Sequence, residues 1–155
     1  MNAAYVHIVL VHLPVILTPL GAILLALAHM RHSMTVARVA LGILVAAALI
    51  TVPTFLVGEP AEEIVEHIAG VSEDTIETHE EAAEVALWCS IASGLLSLIT
   101  WRVVAKGGAL ERAFLALTFL TSAIASATLG YTAHQGGKIR HPEAFSTPKA
   151  AEESH

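Results

Sequence analysis

Nine histidines in 155 residues are the side chains with which this chain could do chemistry. Imidazole ligates iron, copper and zinc and changes charge near neutral pH. His7, His12, His67, His79, His134 and His141 fall at one set of segment ends, whereas His29 and His32 flank Arg31 in a basic loop and His155 ends the chain. A solvated role suffices for His29 and His32, and a terminal residue frays. Other chemistries find no support. No nucleophile–base triad or phosphate-binding glycine loop is present, and His79-Glu80 begins an H-E-x-x-H motif whose second histidine is replaced by Ala83. The one cysteine, Cys89, rules out a disulfide framework or a zinc finger. No residue is assigned a catalytic role, and electron transfer or metal binding fits better than a stand-alone enzyme.

The elements that must position these histidines are apolar runs. Residues of the AVILMFWYC class make up 55% of the chain and charged residues 14%. Soluble domains average about 45–50% and about 25%. Val6–Ala28, Val39–Val57, Val85–Trp101 and Ala113–Ala133 carry no charged residue, and a bilayer core asks for about 17–25 such residues per helix. Trp88 and Trp101 lie near the ends of the third run, where amphipathic rings favour the interface. Buried helices of a soluble bundle would need polar outer faces, which these runs lack. The expected fold is therefore all-α, an integral membrane four-helix up-down bundle. Its helices are expected over about 6–28, 37–57, 73–104 and 110–134, within one domain of residues 1–134 followed by a tail over 135–155. The first run is expected to stay as a helix, because Met1–Tyr5 lacks the basic residue of a signal peptide.

Arg31 and Arg38 follow the first run, and Arg102, Lys106 and Arg112 follow the third, so five of the eight basic residues share one side. The positive-inside rule makes that side cytoplasmic. Both termini and the connection between helices 2 and 3 then face the periplasm from a bacterial inner membrane. Ten of the fourteen acids lie between Glu59 and Glu84. With no basic face to displace counterions, nucleic acid is excluded as a partner. In this connection Glu59, Glu62, Glu63 and Glu66 form one helical stripe and Ala61, Ile64, Val65 and Ile68 the other, predicting a short amphipathic helix over about 59–69. Gly70 ends it, and Ser72 is placed to cap the next helix, with Glu73 and Asp74 in its first turn.

Helical spacing then sets the facing of the histidines. His79 shares a stripe with Ile76, Ala83, Ala86, Ser90, Ser93, Gly94 and Ser97, and small residues mark the face on which membrane helices approach. On helix 4 the same reasoning joins Ala123, Ala127, Gly130 and His134. On helix 1, His7 shares a face with Val11, Pro14, Thr18 and Gly21, while His12 stands roughly 140° round the helix from it. His67 falls between the stripes of the surface helix. Inward-facing ionisable groups near membrane depth are functional candidates.

The run His7-x4-His12-x-Pro14, then Gly58-Glu59, His79-Glu80 and His134-x-Gly136-Gly137-x-Ile139-Arg140-His141, resembles a family of small uncharacterised four-helix bacterial membrane proteins with outer-leaflet paired histidines. These are similar in style to membrane b-type cytochromes. The resemblance implies haem b held by His79 with His7 or His12, with His134 and His141 nearby and Arg140 or Lys138 as cation for the propionates. It also implies electron transfer, with a quinol or a periplasmic redox protein as partner. Two other readings stay open. One is a Cu, Zn or Fe site drawn from His7, His12, His79, His134, His141, Glu59 and Glu80. The other is a non-catalytic membrane partner or sensor subunit. Four helices are few to enclose a haem, so a homodimer within the lipid bilayer is an expectation too.

Overall fold

The computed structural model describes residues 2–66 and 72–145, and these are helical nearly throughout. Five α-helices follow in order: α1 (Ala3–Arg31), α2 (Met34–Leu56), α3 (Gly58–Val65), α4 (Glu73–Lys106) and α5 (Glu111–Arg140). A short 3₁₀ turn, Pro142–Ala144, closes the described chain. Helices α1, α2, α4 and α5 are long and apolar enough to cross a membrane. His67, Gly70 and the residues beyond Phe145, His155 among them, lie outside the described residues, as does the end of the expected surface helix.

Local chemistry sets the ends. The Asn2 side chain accepts the Tyr5 N–H at 3.0 Å, and Ser33 accepts that of Val36 at 3.4 Å, each satisfying a donor the first helical turn leaves free. Ser72 occupies the N-cap position of α4 in extended backbone but makes no side-chain cap bond; Glu73 and Asp74 complement the dipole there. The turn into α5 uses Gly107 at φ 71° and Gly108 at φ 128°, values that side-chain-bearing residues rarely adopt.

Helix α1 packs on α2 and α5, and α4 packs on the same two, so α1 and α4 stand diagonally, while α3 leans on α1. Leu25, Ala40, Leu41 and Leu44 form the apolar core, with Leu24 and Leu115 against it. Close approach depends on small residues. A Cβ on Gly94 would overlap the Cβ of Ala48, and one on Gly21 would sit 2.7 Å from Leu44. The outward surface is apolar, with Ile16, Ile23, Leu49, Trp88, Leu95 and Leu120 exposed, the inverse of a soluble bundle and suited to lipid.

Two expectations are corrected. Helix α5 does not stop near residue 134 but runs to Arg140 through Gly136 and Gly137. Glycine weakens a helix interior by about 1 kcal/mol, yet here Gln135 is buried and Gly136 packs against His79, so tertiary contact holds the last turns. The interior face of α5 is also not Ala123, Ala127, Gly130 and His134. It is Thr118, Ser122, Ala125, Leu129, Thr132 and Gln135. Hydroxyl groups turn inward, where Thr118 bonds Thr100 at 2.7 Å, and Phe119, Leu120 and Ile124 turn outward. At hydrocarbon depth, polarity decides which face is buried more strongly than residue size does.

Candidate functional site

One end of the bundle, its mouth, gathers the starts of α1 and α4 beside the ends of α2 and α5. On α1, half-buried His7 follows the face of Pro14, Thr18 and Gly21, all buried. Its Nδ1–H donates to the Thr54 carbonyl near the end of α2 at 3.0 Å. On α4, half-buried His79 lies above Ala82, Ala86, Ser90, Ser93, Gly94 and Ser97, which are buried. Its Nδ1–H donates to the Thr132 carbonyl of α5, also at 3.0 Å. The Thr132 hydroxyl in turn donates to the Ala82 carbonyl at 2.9 Å, pinning α5 against α4 beside the imidazole. The two rings meet across the bundle axis with centres 6.4 Å apart and planes at 87°.

Carbonyl oxygens can only accept, so both bonds put a proton on Nδ1, and in the neutral ring Nε2 is then the lone pair. Two imidazoles oriented this way through their other nitrogen have the arrangement that backbone carbonyls give to metal-ligating histidines.

Glycines frame the pair. A Cβ at Gly58 would lie 3.7 Å from His7 Cε1, an ordinary contact, but one at Gly136 would lie 3.1 Å from His79 Cε1. Gly136 therefore makes room for the His79 ring. Thr54, Thr132 and this role of Gly136 were not anticipated from sequence. Carbonyl acceptors leave no trace in residue type, but the Gly136-Gly137 pair after an apolar helix was a visible sign of close approach.

The other candidates stand apart from this pair. His12 is exposed, and its Nδ1–H bonds the Ile8 carbonyl of its own helix. His134 is exposed and packs edge-on against Phe145, ring centres 5.3 Å apart. The Nδ1–H of exposed His141 donates to Glu143 Oε1 at 3.0 Å. Bonds from its own backbone N–H and from His141 hold the Glu143 carboxyl below the usual range. Lys138 is half-buried and Arg140 exposed in the last turns of α5. Glu59 is exposed at the start of α3, while Glu80 faces a crevice of about 240 Å³ that also holds Glu62, Glu66, Glu73 and Glu77. Partial burial and then Glu80, Glu66 and Glu59 push the Glu62 carboxyl up. Among the described residues, no three His, Cys, Asp or Glu side chains group so as to hold a metal ion.

No protein-family model, curated protein or solved structure matches this chain.

Proposed function

We propose that His7 and His79 are the axial ligands of one haem b, held at the mouth of a membrane bundle that transfers electrons on its periplasmic side. The observation that carries this reading is the ring pair itself, both Nδ1–H groups tied to carbonyls and the centres 6.4 Å apart. Ligand number separates the alternatives. Non-haem zinc, copper or iron draws three or four donors from the protein, whereas haem brings four equatorial nitrogens and asks the protein for two axial ones. Two imidazoles are what the mouth supplies. Gly58, Ala82, Thr132 and Gly136 make the walls beside them small, and Lys138 and Arg140 place cations within two turns of Gly136 for the propionates. When bound, haem would exchange single electrons with a quinol or a periplasmic redox protein. The chain's own groups orient the imidazoles and fix the neutral tautomer that carries its proton on Nδ1.

An up-down arrangement belongs to the same reading. It is supported by His7 near the start of α1 bonding Thr54 near the end of α2, and by His79 near the start of α4 bonding Thr132 near the end of α5. The basic loops at the opposite end support a mouth that faces outward from a bacterial inner membrane. A reporter enzyme fused after His155 should be active only in the form that works outside the cytoplasm. Activity of a cytoplasm-only reporter there would reverse the orientation.

The deciding measurement is an absorption spectrum with metal analysis of the detergent-purified protein. A Soret band with sharp reduced α and β bands is expected. A stoichiometric transition metal without a Soret band would replace haem with a non-haem site, and neither signal would leave a partner or sensor subunit. Membership of the four-helix family with outer-leaflet histidines is part of this proposal and rests on the same residues.

A further inference from the structure

All but three of the described hydroxyl groups buried inside the bundle have hydrogen-bond partners. Thr51, Thr54, Ser97 and Thr118 each donate to the carbonyl four residues back, at 2.8–2.9 Å, the usual way to satisfy a hydroxyl where water is scarce. Thr18, Ser90 and Ser93 are 2%, 3% and 2% exposed, and their hydroxyl oxygens have no hydrogen-bond partner among the described residues. A buried hydroxyl left without a partner is costly, and these three share nearly one depth. Thr18 stands eleven residues after His7, and Ser90 eleven after His79. At about 1.5 Å per residue both lie about 16 Å inward of the ring pair, on the two diagonal helices, with Ser93 one turn deeper. Towards the opposite end, Leu44 packs against Gly21 with Leu25 and Leu41 beside it, while Ser97, Thr100, Thr118 and Ser122 carry buried hydroxyls that are all hydrogen-bonded. Towards the mouth, the buried hydroxyls of Thr51 and Thr54 continue the polar line to His7.

We propose that Thr18, Ser90 and Ser93 form an internal water site that bridges α1 to α4 near mid-membrane. One or two water molecules bound there give each hydroxyl a partner, and a bound water needs two to four such groups. The inference is independent of any cofactor.

Water-edited solid-state NMR of the full chain in lipid bilayers, with labelled Ser, Thr and Leu, tests it. Magnetisation from water should reach Thr18, Ser90 and Ser93 at least about threefold faster than Leu41, which is fully buried in the apolar core. In Ser90→Ala the transfer to Thr18, on the opposite helix, should fall by half or more, while the Leu signals report an unchanged fold. Transfer to all three no faster than to Leu41 would overturn the site and show the hydroxyls bonded to their own helices. Rapid transfer to Thr18 that survives Ser90→Ala and Ser93→Ala together would overturn the bridge.

Discussion

His79→Ala is expected to lower the content of the proposed haem to less than about a tenth of wild type per mole of chain by pyridine haemochrome assay. Loss of a group that merely orients a ligand costs about 10–100-fold in metal affinity, and removal of an axial ligand costs at least as much. His7→Ala should behave alike, because neither imidazole has a substitute within the mouth. His12→Ala and His134→Ala, which alter exposed rings bonded or packed elsewhere, should retain full cofactor. Gly136→Ala should fall between, since its Cβ would stand 3.1 Å from His79 Cε1 and displace the ring by a few tenths of an ångström. Full haem in His79→Ala with loss in His134→Ala would move the site to the end of α5 and sink the ring-pair argument.

Gly94→Ala is expected to destabilise the folded bundle by about 2–3 kcal/mol in reversible unfolding from mixed micelles. The added methyl overlaps the Cβ of Ala48, which is fixed to the α2 backbone and cannot swing away, with Ala48 Cα and the Leu44 carbonyl 3.9 Å behind it. Relief requires α2 and α4 to separate along the line where they pack. Gly130→Ala is the matching control. A Cβ there meets nothing within 4 Å, so the substitution should be neutral or stabilise by up to about 1 kcal/mol through helix propensity. Equal effects at the two positions would show that α2 and α4 do not approach as described.

The contrast between these glycines separates what each level of structure decides. Gly94 and Gly130 both sit in apolar helices beside other small residues, and the alternation of residue types treats them alike. Only the packing of α2 on α4 makes one indispensable. The same limit explains α5. Spacing picked out a small-residue face, but which face turns inward depends on what the neighbouring helices present. Thr132 finds the Ala82 carbonyl and Thr118 finds Thr100, so the hydroxyl face won and His134 went outside with Ala127 and Gly130.

From residue order alone came the four membrane-length helices, because an apolar run without charges has no soluble alternative in which its backbone and side chains are both satisfied. The inward facing of His7 and His79 was legible too, since each lies on a helical stripe of small or weakly polar residues. Residue order could not say that the imidazoles of α1 and α4 meet at 6.4 Å, or that Thr54 and Thr132 lend carbonyls to them. Helix propensity and hydropathy act within a segment, whereas the distance between two rings on separate helices is set by every side chain packed between those helices. The juxtaposition of the two imidazoles therefore exists only in the assembled bundle, at a mouth that neither helix forms by itself.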